Sequence, residues 1–224
     1  LTGDVIIQRL INYESKEYIV TTIGKKAFSS TYITSIEFPI DTEIRTIEKN
    51  AFIRASIESI SIPASLVNLE DGWCEYTNCL INITVSPNNP RYSVYNDKFI
   101  IGKSSSESEN YDVLVFCVRN VEKVTIPSFI KHIGAHAFDS CKKLKNIEIP
   151  INSELQTIKK RAFQESSIEN FQVPPHVTYI GKSAFMHCDN LKEFDIPTNS
   201  ELKKIGKKAF YRTKIKSIFI PSNL

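Results

Sequence analysis

The chain has 224 residues, of which 42% are hydrophobic, and it carries a formal net charge of +3. This is the composition of an ordinary folded protein. A sequence pI near 8.5 argues against a nucleic-acid-binding domain, which more often has a pI above ~9 and a clustered basic face. No apolar run approaches the ~20 residues of a membrane span, and no signal peptide is visible. Because the chain starts at Leu1 and stops at Leu224, just after a strand stop, we expect it to be a fragment or a mature form.

Two short motifs recur along the chain with a period in the low twenties. The first is an Ile followed four residues later by Ala-Phe, and its copies begin at Ile23, Ile47, Ile133, Ile158, Ile180 and Ile205. The second is apolar-x-x-apolar-x-apolar-Pro, and its copies end at Pro39, Pro63, Pro127, Pro150, Pro174, Pro197 and Pro221. An eighth copy has Ser86 in place of the proline. A fixed period of this length is the mark of a stacked repeat protein.

The second motif predicts a strand of about three residues, and the first predicts a short helical return. Neither is stable alone, because so short a strand or helix buries too little surface. Stacking aligns the strands into a parallel sheet and gathers the Ile, Ala and Phe side chains into one core. Proline ends each strand because it cannot donate to the ladder. Some returns have a glycine after the Ile (Gly24, Gly134, Gly181, Gly206), so a positive φ is convenient at this step but not required.

The repeat IPxxVTxIGxxAFxxCxxLxxIxIP resembles the BspA-like, treponemal-type leucine-rich repeat, and the segment from Pro174 to Pro197 fits it nearly position for position. The resemblance covers roughly residues 20–86 and 121–224. It implies an α/β repeat fold: a leucine-rich-repeat solenoid with a parallel sheet of short strands, short helical returns and one β-hairpin insertion.

The repeats and the segments between them predict four parts of a single continuous solenoid. Residues 1–22 alternate apolar and polar side chains and are expected to form a capping hairpin. Leucine-rich repeats follow over 23–86 and again over 121–224. Between them, residues 87–120 are predicted to form the β-hairpin insertion, with strands at Phe99–Ile101 and Val113–Val118 and a Ser/Glu-rich loop at Lys103–Asp112.

The cysteines and histidines do not form a predicted site. Cys141 and Cys188 share a repeat position two repeats apart, about 9–10 Å at the strand spacing, which is too far for a disulfide. The five cysteines are therefore expected to be mostly buried free thiols. The four histidines (His132, His136, His176, His187) lie at different repeat positions without metal-ligand spacing. We predict no catalytic residue, no cofactor and no metal.

The strand face that points away from the core is the candidate binding surface. Parallel sheets of repeat proteins often bind partners, although polarity at these positions is also expected simply because they face water. The predicted protein-binding residues are Glu37, Glu148, Gln172, Asp195 and Phe219. Phe219 is interpreted equally well as an anchor or as a residue that packs on a following repeat. A basic ridge on the returns is interpreted as a solvated face. Asn82 begins the only N-glycosylation sequon and is a candidate acceptor.

These observations favour a non-enzymatic solenoid that binds a protein ligand, with no nucleic-acid partner and no membrane span in this chain. The resemblance implies a cell-surface or secreted adhesion protein of a microbe or parasitic protist that contacts host matrix proteins or host cells. The alternative is an intracellular, cytoplasmic leucine-rich-repeat scaffold for protein–protein interaction, which the free cysteines fit. An enzyme is the third and weakest hypothesis.

Overall fold

The computed structural model describes residues 1–220, so the strand stop predicted at Pro221 lies outside the described residues. The chain divides into two compact units, one from Leu1 to Ile100 and one that begins at Ile101. The regular structure of residues 1–220 consists entirely of β-strands. The single continuous solenoid stays a prediction.

The first unit contains a four-stranded parallel sheet, a three-stranded parallel sheet and an antiparallel hairpin. The strands of the four-stranded sheet are β1 (Thr2–Ile6), β5 (Tyr32–Glu37), β7 (Ser59–Ile62) and β9 (Asn82–Val85). Those of the three-stranded sheet are β4 (Thr22–Ile23), β6 (Thr46–Ile47) and β8 (Asn68–Leu69). The hairpin pairs β2 (Leu10–Tyr13) with β3 (Lys16–Ile19), and β10 (Tyr92–Tyr95) is the last strand to lie wholly in this unit.

In the second unit the strands from Val113 onward pair in parallel. One sheet runs in the order β11 (Phe99–Gly102), β12 (Val113–Cys117), β14 (His132–Ile133), β16 (Thr157–Ile158), β18 (Tyr179–Ile180) and β20 (Lys204–Ile205). The other strands form two separate pairs. These are β13 (Lys123–Thr125) with β15 (Asn146–Glu148), and β17 (Asn170–Gln172) with β19 (Glu193–Asp195).

The strand register places equivalent apolar residues directly beside one another. In the second unit Ile133, Ile158, Ile180 and Ile205 are successive partners in one sheet. Beside them the rings of Phe138, Phe163 and Phe185 are fully buried and stacked, with centroids 4.8 and 5.0 Å apart. The predicted core of Ile, Ala and Phe is therefore the observed one.

The predicted helical returns are wrong, and the cause is the backbone conformation of two residues in each return. In seven coils the residue three positions after the Ile, or after Leu69, has a positive φ, as does the residue four positions further on. The first set is Lys26, Asn50, Gly72, His136, Arg161, Ser183 and Lys208, and the second is Ser30, Arg54, Tyr76, Ser140, Glu165, His187 and Arg212. A right-handed helix cannot continue through a left-handed residue.

The returns satisfy their backbone groups between coils rather than within a helix. The N–H of each Phe donates to the carbonyl of the next coil, for example Phe138 to Ala162 and Phe163 to Ala184, both at 2.7 Å. Within the return, a turn bond joins the Ala N–H to the residue three positions earlier, as from Ala184 to Gly181 at 3.2 Å. The return is thus a second hydrogen-bonded ladder.

None of the four repeat glycines has a positive φ, and three of them (Gly134, Gly181 and Gly206) allow close packing instead. A Cβ on Gly181 would lie 2.5 Å from the backbone nitrogen of Lys160, and one on Gly206 would lie 2.3 Å from that of Lys182. The glycines with a positive φ are instead Gly3 and Gly72, outside the Ile-Gly step. The earlier expectation for this step is corrected: the glycine lets the preceding coil approach.

The N-terminal segment and the insertion have their own local architecture. Strand β1 pairs in parallel with β5, and the antiparallel hairpin occupies Leu10–Ile19. In the insertion, Asn96 and Asp97 have φ values of 50° and 52°, and the Lys98 N–H donates to the Tyr95 carbonyl. Two successive positive φ values are those of a type I′ turn, which connects β10 to β11. The four predicted parts of the chain remain a prediction.

Candidate protein-binding surface

The exposed strand residues of the second unit alternate with buried ones, as a one-sided sheet requires. In β17, Phe171 is buried between exposed Asn170 and Gln172, and in β19, Phe194 is buried between exposed Glu193 and Asp195. Gln172 and Asp195 are register partners. Two of the predicted site residues therefore lie side by side on the outer face.

Glu148 lies on the other strand pair and is already engaged by its neighbours. Its carboxylate is 2.6 Å from the Lys123 ammonium and accepts a hydrogen bond of 2.9 Å from the Thr125 hydroxyl. These bonds, first from Lys123 and then from Thr125, lower the pKa of Glu148. The predicted acidic column is thus partly neutralised in place, and an incoming basic group has to compete with Lys123 for Glu148.

A groove separates Glu148 from Gln172. The outer strands form two pairs, β13–β15 and β17–β19, so the ladder is interrupted between β15 and β17. At this interruption lies a cavity of about 440 Å³. Its apolar lining comes from the strand ends and the turns that follow them: Ile147, Ile149, Pro150, Ile151, Val173, Pro174, Pro175 and Pro197. The polar part of the lining comes from Glu148, Ser153, Asn170, Gln172 and His176. We call this feature the β15–β17 groove.

The rim of the β15–β17 groove carries a fully exposed isoleucine. The Ser153 N–H donates to the Pro150 carbonyl at 3.0 Å, and the Leu155 N–H donates to the Ser153 hydroxyl at 3.2 Å. This local pattern is a Pro-x-x-Ser turn, and it projects Ile151 outward with a relative exposure of 108%. The sequence analysis missed Ile151 because it considered strand positions only. The signal was present, since Pro-Ile precedes a Ser turn here and a Thr turn at Pro39-Ile40.

The remaining predicted residues lie elsewhere. Glu37 is the exposed last residue of β5 in the first unit, and its backbone carbonyl accepts the Ile7 N–H at 3.0 Å. Phe219 is 56% exposed and lies outside the strands, so it does not continue the column formed by Gln172 and Asp195. Asn82 is the exposed first residue of β9. Phe219 does not line the β15–β17 groove. Glu37 and Asn82 belong to the first unit.

His132 and His176 each contact a different residue and do not meet each other. The His132 Nδ1 lies 2.8 Å from the Thr157 hydroxyl, and burial, followed by the charge of Lys159, lowers the pKa of His132. His176 contacts Glu201 at 2.9 Å. No group of three or more His, Cys, Asp or Glu side chains suited to a metal ion occurs in residues 1–220. Over the same described range, no helix has the length and apolar character of a membrane span.

The family is established by sequence comparison. A profile described as a BspA type leucine rich repeat region, in six copies, matches residues 9–99 and 112–224. These ranges cover most of the chain, and the chain belongs to this family. The predicted leucine-rich-repeat solenoid with parallel sheets of short strands is thereby confirmed, apart from the helical returns corrected above.

Solved structures support the fold. A leucine-rich repeat protein from Eubacterium ventriosum is 21% identical, with a TM-score of 0.63, and the match covers 90% of this chain and 70% of the other. A leucine rich cell surface protein from Faecalibacterium prausnitzii is 22% identical, with a TM-score of 0.67 over 97% of this chain and 59% of the other. At these identities the likeness establishes the fold alone. No curated protein is similar enough to the sequence to count as a match.

Proposed function

We propose that the chain binds another protein, without catalysis, through the β15–β17 groove and the outer face of the neighbouring strands. The observation that carries the proposal is an apolar groove beside Ile151, whose side chain is fully exposed at the rim. A large apolar side chain held in water by a rigid turn costs solubility, and clustered apolar surface rimmed by polar groups marks interaction sites. The polar rim is formed by Glu148 and Gln172 on opposite sides of the groove.

The groove suits an extended segment of a partner. Its lining comes mainly from β15, from β17 and from the turns that follow them, so a bound segment would meet both apolar and polar groups. Prolines form much of its wall, and rigid apolar walls lose little side-chain entropy on binding. The free carboxylates of Glu193 and Asp195 beside the groove favour a basic segment through steering.

Glu37 and Phe219 belong to the proposal as separate contacts. Glu37 is an exposed acid on the outer sheet of the first unit. Phe219 is a large exposed aromatic, and it serves as an anchor or as a packing surface for further repeats. Asn82 is proposed as a glycosylation acceptor because its side chain is exposed at the start of β9.

The proposed setting is the cell surface or the secreted fraction, with a host matrix or cell-surface protein as the ligand. This setting follows from the family resemblance. An intracellular scaffold is the second candidate, favoured by the five free cysteines. Protease treatment of intact source cells separates the two: a surface protein is digested, and an intracellular one is protected until the cells are opened.

Binding is tested with the purified chain and a panel of immobilised matrix proteins that includes a collagen and a laminin. Ile151→Asp is expected to weaken binding at least tenfold, because it places a charge at the apolar rim. Ile40→Asp is the matched control, since Ile40 occupies the same turn in the first unit and is 105% exposed. The control is expected to bind as the wild type does.

The strand face is tested separately by charge reversal. Glu148→Lys with Asp195→Lys is expected to weaken binding, while a ridge variant with Lys159, Lys160, Lys207 and Lys208 changed to Glu is expected to retain it. If only the ridge variant loses binding, the partner contacts the returns and the proposed surface is wrong. If Ile40→Asp and Ile151→Asp lose binding equally, the β15–β17 groove is not the site.

A further inference from the structure

Two cysteines of neighbouring coils meet in the core of the second unit. Cys117 is the last residue of β12, and its N–H donates to the Ala137 carbonyl of the following return at 2.9 Å. Cys141 closes that same return, where its N–H donates to the Phe138 carbonyl at 3.3 Å. Both cysteines are fully buried, and the Cys117 side chain hydrogen-bonds to the Cys141 side chain.

A buried arginine holds this pair in place. The Arg119 guanidinium donates from one nitrogen to the carbonyl oxygens of Cys117 and Ala137, at 3.2 and 3.0 Å. The same nitrogen lies 3.3 Å from the Cys141 sulfur. The guanidinium also packs over the Phe116 ring at 4.1 Å. Arg119 therefore ties the backbone of Cys117 to the sulfur of Cys141, while the Cys117 sulfur lies 3.4 Å from the Val118 carbonyl.

The environment of Cys141 favours the reactive form of the thiol. Burial raises the pKa of Cys141. The hydrogen bond from Cys117 and the charge of Arg119 lower it by more than burial raises it, so the pKa of Cys141 falls to about 7. The thiolate is the nucleophile in disulfide exchange, and an attacking thiol is most effective when its pKa is near the ambient pH.

Cys188 is an internal comparison, because it occupies the same position of the repeat. Its sulfur lies 3.3 Å from the Ser166 hydroxyl and donates to the Phe163 carbonyl at 3.0 Å. Burial is the main reason why the pKa of Cys188 is raised, to about 12. The repeat position alone therefore does not activate a cysteine; the second thiol and Arg119 distinguish Cys141.

We propose that Cys117 and Cys141 are a disulfide-forming pair that links β12 to the following return when the chain meets a small disulfide such as glutathione disulfide. The Cys141 thiolate attacks one sulfur of glutathione disulfide and releases one glutathione thiolate. Cys117 then loses its proton and attacks the Cys141 sulfur of the mixed disulfide, releasing the second. The two thiol protons end on two glutathione molecules, so the protein loses two hydrogens and glutathione disulfide is reduced.

The side-chain hydrogen bond brings the two thiols next to each other, and a disulfide also requires Cα atoms within about 7 Å, which the peptide map below tests directly. Because both are buried, glutathione disulfide reaches Cys141 only through local opening of the coil, or during folding. Arg119 lowers the pKa of Cys141 only as long as their contact persists in the opening, so during folding the pairing rests on proximity alone. The bridge would join the insertion, which ends in β12, to the repeats that follow it. The inference does not depend on the proposed binding function.

The experiment incubates the full chain with mixtures of reduced and oxidised glutathione, both after folding and during refolding from denaturant. Remaining thiols are alkylated, and the digest is mapped by mass spectrometry without reduction. The expected result is a linked peptide pair containing Cys117 and Cys141, with the other three of the five cysteines alkylated. The oxidised protein is expected to unfold at a temperature ~5 °C higher, and a reductant should reverse the shift.

Variants provide the matched controls. Cys117→Ser and Cys141→Ser are expected to remove the linked pair and the temperature shift, while Cys188→Ser is expected to keep both. The wild-type peptide map decides the question even if a variant fails to fold. A map in which both cysteines stay alkylated at the most oxidising ratio, stop at glutathione adducts, or link to other cysteines would overturn the proposal.

Discussion

The two units build the same coil from different side chains. In the second unit each return contributes one Phe ring, and successive rings are nearly parallel, at 11° for Phe138–Phe163 and 9° for Phe163–Phe185. In the first unit Phe28 and Phe52 also stack, at 4°, but the next ring is Trp73, which meets Phe52 at 89°. The backbone bond from Phe52 N–H to the Trp73 carbonyl, 2.9 Å long, is nevertheless the one made at Ala in other coils.

The strand side of the core differs in the same way. Phe171 and Phe194 stack in the second unit and meet the ring column edge-on, with Phe171 5.4 Å from Phe163. The equivalent strand residues are aliphatic in the first unit, at Ile36 and Ile60. They are also aliphatic in β13 and β15 of the second unit, at Val124 and Ile147, so the aromatic pair is confined to β17 and β19. The backbone hydrogen bonds between coils are therefore common to both units, whereas the packing of the core side chains differs. Ring stacking is one of several packings that fit these bonds.

The largest expected effect breaks the aromatic column at its centre. Phe163 is fully buried and stacks on a ring at each side. Phe163→Ala is expected to lower the free energy of unfolding by ~3–5 kcal/mol, because it removes a large buried group and leaves a cavity. Urea unfolding followed by circular dichroism measures the change.

The matched variant lies in the first unit. Phe28 is 9% exposed and begins its stack, so Phe28→Ala is expected to cost only ~2 kcal/mol, about the transfer free energy of one ring. Equal losses for the two variants would contradict the view that the second unit depends more on its ring column.

The Ile-Gly step offers a second contrast. In the first unit this position also holds Glu48 and Glu70, whose carboxylates accept the N–H groups of Lys25 and Lys49 from the preceding coil, at 2.8 and 2.9 Å. In the second unit Gly181 instead lets the preceding backbone approach, as its virtual Cβ contact of 2.5 Å shows. At this step neighbouring coils are thus joined either by a hydrogen bond from a backbone N–H to a glutamate or by close backbone packing against a glycine.

This contrast predicts opposite effects for one substitution. Gly181→Ala is expected to destabilise by ~1–3 kcal/mol, because the added methyl group overlaps backbone that cannot move aside easily. Gly24→Ala is expected to be neutral or to stabilise by ~0.5 kcal/mol, because nothing lies within 4 Å of a Cβ at Gly24. Thermal unfolding of both variants tests this, and a comparable loss at Gly24 would show that the step has a conformational requirement instead.

The sequence predicted the period, the strands and the buried columns because these follow from apolar spacing. It did not predict the conformation of the returns. Left-handed positions are usually recognised by Gly or Asn, and among the first set of such positions only Gly72 and Asn50 carry that signal. Lys26, His136 and Arg161 adopt the same conformation. At His136 and Arg161 the backbone N–H donates to a carbonyl of the next coil.

The candidate site was predicted in part for a related reason. Strand alternation correctly indicates which residues of β17 and β19 are exposed. It cannot indicate that the ladder stops between β15 and β17, because that interruption depends on how the coils stack. The Arg119 contact with Cys141 likewise joins residues from the insertion and a repeat, which a comparison of repeat positions does not bring together. Whether Glu148, Gln172 and Asp195 bind a partner stays a proposal.

The smallest expected effect tests the left-handed positions directly. Lys26 has a φ of 62°, which costs a non-glycine residue about 1–2 kcal/mol relative to the right-handed conformation. Lys26→Gly is therefore expected to stabilise the chain by ~0.5–1 kcal/mol once the greater freedom of glycine in the unfolded chain is subtracted. Lys25→Gly is the matched control, because it removes the same charge from the adjacent exposed position without a positive φ, and it is expected to destabilise by ~0.5–1 kcal/mol. Urea midpoints of the two variants should therefore move in opposite directions, and a shift of the same sign in both would show that the strain at Lys26 does not limit the stability of the coil.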